Sequence, residues 1–352
     1  MRKIKVAIAG VGNCASALLQ GTYYYRDGRE EKLVFPSIGG YKPEDIEFVA
    51  AFDIAETKVG KDLSEAIFGF PNNTIRFQEV PELGIKVKRA PIYDGLGKYL
   101  KEVIKVSEEP EVDITTELKE SEADILINYL PVGSEYGSRQ YAEAALNAGC
   151  GFINAMPTFI ASDDGWSQKF EQKKIPLAGD DVMSQIGATV LHKTIAKLLV
   201  DRGVEIQETY QLNVGGDTDF LNMLEEERLK SKRISKTSAV EALIPYETKI
   251  RIGPSDYIEF LNNRKICYIW MKGRYFGGTP VTIDVKLAVV DAPNSAGVMI
   301  DAVRGMKLAW DRGIGGALYS LSAYCFKHPP QQMPYHIAKE MFRRFIEGEI
   351  DR

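Results

Sequence analysis

The first half of the chain alternates between short apolar runs and segments with helical periodicity. Glycine, proline or aspartate bounds most of the apolar runs, which indicates strands covered on both faces. The predicted strands are Ile4–Ala9, Phe48–Phe52, Ile125–Leu130, Gly151–Ala155 and Ile175–Ala178. Between them, Ser138–Ala148 and Gly187–Leu199 have the apolar spacing of helices. Strands alternating with helices predict a parallel, doubly wound sheet.

The pattern changes after about residue 203. The predicted strands of this second part are Glu205–Val214, Cys267–Met271 and Val281–Val290. The last of them alternates apolar and polar residues, which is typical of a sheet covered on one face only. The charged segment Leu221–Lys230 is predicted to be helical, and Ser295–Leu308 and Ile337–Ile346 return to helical patterns.

These patterns predict an α/β protein in three parts. Residues 1–203 form a Rossmann-type domain with a doubly wound parallel sheet. Residues 204–293 form an inserted α+β domain that is mainly sheet, and residues 294–352 return to the first domain. We expect the uncovered face of the inserted sheet to need a partner.

Composition limits the classes of function. The 352 residues include 44 Lys and Arg against 49 Asp and Glu, for a net charge of −5. Without a basic block, binding to nucleic acid or to an anionic membrane is not expected, although a few lysines can hold a small phosphorylated molecule. No apolar run approaches the roughly 18 residues of a membrane helix. The basic N-terminus fits a first strand better than a secretory signal, because a glycine-rich turn follows it directly.

Cysteine and histidine usage excludes the common metal motifs. The four cysteines are Cys14, Cys150, Cys267 and Cys325, and no two of them form a CxxC pair. The three histidines form no HExxH motif. We therefore expect neither a cysteine-rich zinc site nor histidine-based metal catalysis, and we expect reduced thiols in a cytoplasmic protein.

A glycine-rich segment, GVGNCA at residues 10–15, follows the first predicted strand and opens a helix. Gly10 permits a tight turn, Gly12 lets the backbone approach a pyrophosphate, and Ala15 keeps strand and helix close. Asn13 and Cys14 begin the helix, whose N-terminal N–H groups attract an anion. Alone, this pattern is a weak signal of dinucleotide binding, because any tight strand-to-helix turn needs glycine.

Asp53 strengthens that signal because it ends the next predicted strand. A carboxylate at this position accepts hydrogen bonds from an adenosine ribose and favours NAD over NADP. The spacing is about twice the usual ~20 residues, so Thr22–Lys42 must be an insertion. Asp53 is alternatively a plain turn residue, but its place at the end of a strand favours cofactor binding.

Further polar clusters lie at predicted strand ends. They are Gly179-Asp180-Asp181 before Ser184, the segment NVGGDTDFLN at residues 213–222, and lysines at positions 232, 236, 265 and 327. Lys232 and Lys236 share one face if their segment is helical. A solvated basic face and an anion site are equally compatible with that spacing. For Lys265 and Lys327 individually, a surface position is the commoner situation.

Taken together, these motifs resemble the myo-inositol-1-phosphate synthase family, in particular its shorter prokaryotic members. The resemblance is carried by GVGNCASALLQG, FVAAFD, YLPVGSE, GDDVMSQIGAT, QLNVGGDTDFLNM, SKRISKT, IGPSD and DAPNSAGVMIDAVR, which run from the first strand almost to the C-terminus. A generic Rossmann dehydrogenase would match only the first two.

The resemblance implies an isomerase with tightly bound NAD that converts D-glucose 6-phosphate into 1D-myo-inositol 3-phosphate. C5 is oxidised, an enolate forms at C6, C6 attacks the C1 aldehyde, and the product is reduced again. It also implies a homotetramer and a cation, either divalent or monovalent, whose ligands stay open. The alternatives are an ordinary NAD-dependent dehydrogenase of a phosphorylated small molecule and an NAD-sensing protein on the same fold.

The resemblance also implies the site residues. The catalytic set is Lys232, Lys236, Lys265, Lys327, Asp219 and Asp291. Lys232 is expected to remove the C5 hydroxyl proton, and Lys236 to hold the phosphate. Lys265 and Lys327 are expected to stabilise enolate or aldolate oxygens. Besides the glycine-rich turn and Asp53, the implied cofactor contacts are Asp62, Ser121, Tyr141, Asp181, Ser184, Asp219 and Lys232.

Overall fold

A seven-stranded sheet forms the centre of the first part of the molecule. The computed structural model describes residues 3–352; the first two residues and the side chains of Pro254 and Ser255, in the IGPSD motif, lie outside the described part. The strands of this sheet are β1 (Ile4–Ala9), β2 (Ile46–Asp53), β3 (Lys88–Arg89), β4 (Ile125–Asn128), β5 (Gly151–Asn154), β6 (Pro176–Gly179) and β11 (Gly316–Ala317). All neighbouring pairs are parallel, in the order β11-β6-β5-β4-β1-β2-β3.

Helices cover both faces of this sheet. The helices of the whole described chain, including those that pack on the second sheet, are α1 (Asn13–Tyr24), α2 (Leu63–Ala66), α3 (Gly97–Val103), α4 (Ile114–Glu120), α5 (Glu135–Ala148), α6 (Asp164–Gln172), α7 (Ala188–Asp201), α8 (Thr218–Asn222), α9 (Lys230–Glu241), α10 (Asp291–Asp311), α11 (Tyr319–Cys325) and α12 (Tyr335–Glu347). Short 3-10 helices lie at Arg29–Lys32, Pro43–Asp45, Glu226–Leu229, Glu259–Leu261 and Phe276–Gly278. Because side chains alternate along a strand, Val6 and Ile8 pack with α1, α10, α11 and α12, whereas Ala7 and Ala9 pack with α4, α5 and α6. The prediction of a doubly wound α/β fold is confirmed.

The strand order reverses at β1. The chain proceeds from β1 outward through β2 to β3, and then returns to place β4 on the other side of β1. In open α/β sheets, the crevice at the carboxyl ends of the strands beside such a reversal is the usual ligand site. Gly10 follows β1 and Tyr129 follows β4, so both residues lie at this edge.

A second sheet contains β7 (Glu205–Gly215), β8 (Lys249–Tyr257), β9 (Arg264–Arg274) and β10 (Pro280–Val290), in the order β10-β9-β7-β8. On one face, alternate β9 side chains, including Ile269 and Met271, pack in a cluster with residues of α7 and α9. On the other face, Tyr210, Leu212 and Tyr268 are exposed. Among the described residues, no helix is long and apolar enough to cross a membrane.

The segment Leu221–Lys230 differs from the predicted helix. The structure divides it between the end of α8, the 3-10 helix Glu226–Leu229 and the first residue of α9. The helix is interrupted at Glu225, whose backbone is extended (φ −83°, ψ 98°) and whose carboxylate accepts a hydrogen bond from the backbone N–H of Lys98. Strand β8 was not predicted, because a Gly253-Pro254 pair is atypical of a strand; it is tolerated here because β8 is an edge strand.

Asp180 braces the edge of the first sheet directly after β6. This fully buried carboxylate accepts hydrogen bonds from the backbone N–H groups of Ile160, Ala161 and Ser162, each at 3.0 Å. The side-chain amide of Asn154 also donates to it at 2.7 Å. The loop after β5 is thereby fixed beside the residue that follows, Asp181.

We predict that Asp180→Ala lowers the free energy of unfolding by about 3 kcal/mol or more, because several buried donors lose their acceptor. The control is Asp163→Ala, which removes an exposed carboxylate that caps the N–H of Trp166 and should cost about 1 kcal/mol. Urea unfolding measures both. Equal losses in the two variants would contradict the bracing role.

Candidate functional site

A cavity of about 290 Å³ extends from the glycine-rich turn after β1 to α9 and the second sheet. Its walls therefore come from both sheets. The predicted site residues that line it are Gly10, Gly12, Asn13, Cys14, Asp53, Tyr141, Ser184, Asp219, Lys232, Lys236, Lys265, Asp291 and Lys327. The structure thus brings together most of the residues that the sequence singled out, although they are dispersed along the whole chain.

The glycine-rich turn has the geometry that its glycines predict. Gly10 has a φ of 95°, and a Cβ there would lie 2.5 Å from the carbonyl oxygen of Tyr129. At Gly12, by contrast, a Cβ would meet no described atom within 4 Å. No side chain caps α1 at Gly12, and its first turn holds no acidic residue, so its N-terminal N–H groups can bind an anion. Ala15 is fully buried beneath the turn.

Asp53 both braces this turn and faces the cavity. Its carboxylate accepts hydrogen bonds from the N–H groups of Val11 at 2.8 Å, Ile54 at 2.8 Å and Ala55 at 3.0 Å. The ammonium of Lys58 lies 3.7 Å away. Because a carboxylate offers about four acceptor positions, capacity for one more donor is left. Asp53 can therefore hold the turn and bind a ligand at the same time.

Asn13 and Cys14 contribute differently from Asp53. The side chain of Asn13 accepts hydrogen bonds from the N–H groups of Asn73 at 2.8 Å and Thr74 at 3.0 Å, so it holds a neighbouring loop. Burial raises the pKa of the Cys14 thiol to about 12, despite a hydrogen bond from Ser295. The thiol is therefore protonated at neutral pH and is a poor nucleophile.

Two tyrosines present unused hydroxyl groups in the cavity wall. The hydroxyl oxygens of Tyr129 and Tyr141 are buried and have no hydrogen-bond partner among the described residues. Buried polar groups are nearly always hydrogen-bonded. Both hydroxyls are consequently available to a bound molecule. Sequence reasoning found Tyr141 by resemblance and missed Tyr129, whose only signal is its place directly after β4.

At the other end of the cavity, Asp181 forms ion pairs with two of the lysines. The Nζ atoms of Lys232 and Lys327 each lie 3.0 Å from its Oδ1, and the hydroxyl of Ser235 donates to its Oδ2 at 2.6 Å. Burial would raise the pKa of Asp181, but the two ammonium groups and the hydroxyl hold that pKa well below its usual value. Asp181 stands behind the lysines, outside the cavity lining, so it anchors them.

The lysines differ in charge. Burial would lower the pKa of Lys232, but Asp181 and Asp219 hold it above its usual value. Burial, followed by the positive charges of Lys232 and Lys327, lowers the pKa of Lys236 to about 7. The pKa of Lys327 is lowered to about 8, mainly by burial, with Lys232 contributing and Asp181 opposing. Lys232 is therefore a fixed cation, whereas Lys236 and Lys327 can exchange protons near neutral pH.

Three carboxylates face these lysines. Asp291 forms an ion pair with Lys265, and Asp217 accepts a hydrogen bond from the side chain of Asn263 at 2.8 Å. Burial and the nearby charges of Asp219 and Asp291 raise the pKa of Asp217 to about 7. In the described part of the chain, no group of three or more His, Cys, Asp or Glu side chains has an arrangement that could hold a metal ion.

Besides Ala15 and Asp181, two further predicted cofactor contacts do not line the cavity. Asp62 caps α2, where its carboxylate accepts hydrogen bonds from the N–H groups of Ser64, Leu83 and Ile85. Ser121 ends α4, which leads into the amino end of β4, at the sheet edge opposite the cavity. Its hydroxyl donates to the carbonyl of Glu117 at 2.7 Å. Neither residue lines the cavity.

Sequence reasoning also missed functional candidates other than Tyr129. Ser235 lies three residues after Lys232, on the same helix face, and this spacing could have indicated it. Asp217 stands in the quoted GGDTD segment, two residues before Asp219. Asn263 stands in the polar turn two residues before Lys265, and this position could have indicated it. Arg228 offered no comparable signal, because Asp94 and Gly95, to which it donates, are distant in sequence.

The fold and the site define an α/β protein of the Rossmann type with a charged cavity at the reversal of strand order. Comparison with known proteins adds the family. Residues 187–292 match the family model described as myo-inositol-1-phosphate synthase. Over 357 residues, the chain is 50% identical to inositol-3-phosphate synthase of Mycolicibacterium smegmatis, with 98% of each chain covered.

A second relative and a solved structure support the same family. The inositol-3-phosphate synthase of Corynebacterium glutamicum is 48% identical over 97% of this chain and 98% of its own. The crystal structure of a myo-inositol-1-phosphate synthase-related protein from Thermotoga maritima superposes with a TM-score of 0.81 at 25% identity, covering 98% of this chain and 99% of that one. This chain belongs to the inositol-3-phosphate synthase family.

We predict that anion binding at the lysines takes up protons. A bound phosphate favours the charged form of Lys236 and so raises its pKa from about 7. At pH 8, binding of inorganic phosphate should therefore take up roughly one proton, and its affinity should fall as the pH rises to 9. Calorimetry in buffers of different ionisation enthalpy measures the uptake. Lys236→Met should abolish most of it, whereas the exposed Lys249→Met should not. Uptake unchanged in Lys236→Met would refute this assignment.

Proposed function

We propose that this protein converts D-glucose 6-phosphate into 1D-myo-inositol 3-phosphate with NAD, as an isomerisation without net oxidation. The observation that carries the proposal is the single cavity that joins a glycine-rich turn to four lysines and three carboxylates. The product in the names of the two relatives, inositol 3-phosphate, supports the same conclusion. The cyclisation needs a redox cofactor at one end and stabilisation of oxyanions at the other.

The residues at the glycine-rich turn fit NAD. The open face of Gly12 and the uncapped N-terminus of α1 suit a pyrophosphate. Asp53 has acceptor capacity for one ribose hydroxyl, and Tyr129 and Tyr141 offer unused hydroxyls. When bound, NAD would accept a hydride from C5 of the open-chain sugar and return it at the end of the reaction.

The substrate phosphate fits the surroundings of Lys236. This amine has three cationic neighbours, Lys232, Lys327 and Lys265, each of which lowers its pKa. Among the described residues it has no ion pair of its own. A phosphate dianion would relieve this repulsion and restore the charge of Lys236. A phosphorylated sugar would gain this stabilisation, whereas an uncharged sugar would not.

Proton transfer is better suited to Lys327 than to Lys232. Both amines pair with Asp181 at 3.0 Å, but the pKa of Lys232 is raised, because Asp181 and Asp219 outweigh burial, whereas burial lowers the pKa of Lys327. We therefore propose Lys327, in place of Lys232, for removal of the C5 proton. The pKa of Lys327, about 8, lies close to neutral pH, where a general base is most effective. Lys232, as a fixed cation, and Lys265, which pairs with Asp291, would then stabilise the enolate and aldolate oxygens.

The proposal includes a cation for which the protein would supply only some of the ligands. The carboxylates of Asp217, Asp219 and Asp291 are close enough to raise the pKa of Asp217. Carboxylate oxygens suit hard cations, but these side chains lack the arrangement of a complete protein site. A cation here would need further oxygen ligands from cofactor or substrate, and its identity is left open.

Phosphorus NMR of the protein with glucose 6-phosphate and NAD tests the reaction. We expect an inositol phosphate signal without accumulation of NADH. Lys265→Ala should reduce turnover at least about a thousandfold, because oxyanion stabilisation is lost, while NAD binding persists. The matched control, Lys249→Ala, removes an exposed lysine and should be fully active. NADH accumulation without a cyclitol phosphate would favour a dehydrogenase, and an active Lys265→Ala would refute the site assignment.

We also propose a cytoplasmic homotetramer. The outer face of the second sheet supports it: Tyr210 stacks on Trp270 with ring centroids 5.4 Å apart, and Tyr268 is 42% exposed beside Leu212. Such a face is costly to leave in water. None of the four cysteines forms a disulfide, which suits a reducing compartment.

Light scattering should therefore give the mass of four chains. Tyr268→Glu places a charge on the outer face and should produce smaller species, because burying that charge is unfavourable. The control Ile337→Glu changes an exposed residue of α12 and should leave the mass unaltered. A monomeric wild-type protein would contradict the proposal.

A further inference from the structure

Arg228 connects two walls of the cavity that are distant in sequence. It precedes α9 by two residues, and its side chain is only 9% exposed. One guanidinium nitrogen donates to the carbonyl oxygens of Asp94 at 3.2 Å and Gly95 at 3.1 Å. Another donates to the side chain of Asn222 at 3.1 Å. We call residues 94–98, which comprise the end of the loop before α3 and the first two residues of α3, the mouth loop.

Glu225 adds a second connection to the mouth loop. Its carboxylate accepts a hydrogen bond from the backbone N–H of Lys98 at 2.7 Å and lies 3.9 Å from the Nε of Arg228. At Gly97, whose φ is 73°, a Cβ would lie 2.5 Å from this carboxylate. The close approach of the two segments therefore requires glycine at this position.

The mouth loop is itself fastened to the cofactor side of the cavity. The carboxylate of Asp94 accepts hydrogen bonds from the N–H groups of Tyr136 at 2.9 Å and Gly137 at 2.7 Å, in the first turn of α5. Tyr141 follows on the same helix, and its ring packs edge-on against Tyr93 beside the loop. Contacts thus run without interruption from the wall that carries Tyr141 to the start of α9.

We propose that Arg228 is a positioning residue that closes the cavity over the cofactor, so that bound NAD dissociates only after Arg228 releases the mouth loop. This inference rests on the proposed NAD-dependent function. A guanidinium suits the task because its planar group reaches two carbonyls and an amide at once, which a lysine cannot do. Arg228 also holds the beginning of α9, the helix that carries Lys232 and Lys236.

The test measures how fast NAD leaves the intact holoenzyme. Protein loaded with radiolabelled NAD is diluted into excess unlabelled NAD, and the retained label is followed with time. Arg228→Ala should release NAD at least about tenfold faster than wild type, the factor that corresponds to one lost charged hydrogen bond. Arg228→Lys should give an intermediate rate. The KM for NAD should rise more than kcat falls.

The matched control is Arg233→Ala. Arg233 lies in α9, five residues after Arg228, but its side chain is 43% exposed and pairs with an exposed glutamate, Glu226. Its removal should leave the release rate unchanged. Glu225→Ala provides a second variant that loosens the mouth loop while retaining Arg228, and it should also accelerate release. Wild-type release rates in both Arg228→Lys and Glu225→Ala would overturn the inference. A wild-type protein that retains no NAD would instead overturn the proposed function.

Discussion

The site depends on the buried carboxylate of Asp181. It is fully enclosed, yet two ammonium groups and a hydroxyl keep it ionised. An isolated buried charge is very costly, whereas a charge that is paired and hydrogen-bonded is tolerated. Asp181 therefore fixes the positions of Lys232 and Lys327, which come from segments almost a hundred residues apart. Their common anchor lies in a third segment, at the carboxyl edge of the sheet.

Because one carboxylate, Asp181, pairs with two of the lysines, the positive charges of the lysine cluster are not equally neutralised. Asp181 accepts from Lys232 and Lys327, and Asp291 pairs with Lys265, so Lys236 is left with cationic neighbours. This imbalance suits an anionic ligand, because the ligand supplies the missing charge. The same arrangement separates fixed cations from amines that titrate near neutral pH. A protein almost without histidine can thereby provide acid–base groups near pH 7.

The two ends of the cavity follow different structural rules. At the glycine-rich turn, backbone geometry decides the function: Gly10 permits the close approach to Tyr129, and Gly12 leaves its face open. At the lysine end, side chains from both sheets and α9 decide it. Arg228 joins the two ends, because its contacts reach the mouth loop from the segment that leads into α9. In the proposed function, Arg228 would link binding of the cofactor to the arrangement of the lysines.

The lysine set came from the motifs of the resembled family, because spacing alone left a solvated face open, whereas the sequence by itself determined the parallel sheet and the position of the glycine-rich turn. These are local signals, since strand patterns, turn glycines and motif spacing depend on neighbouring residues. It did not determine which lysine is charged, and it placed Asp62 and Ser121 at the cofactor although one caps α2 and the other ends α4.

Only the tertiary structure decided which lysines are charged and where Asp62 and Ser121 lie. The pKa of a lysine depends on burial and on charges brought close by folding, and the contacts of Asp181 and Arg228 join segments that no local pattern relates.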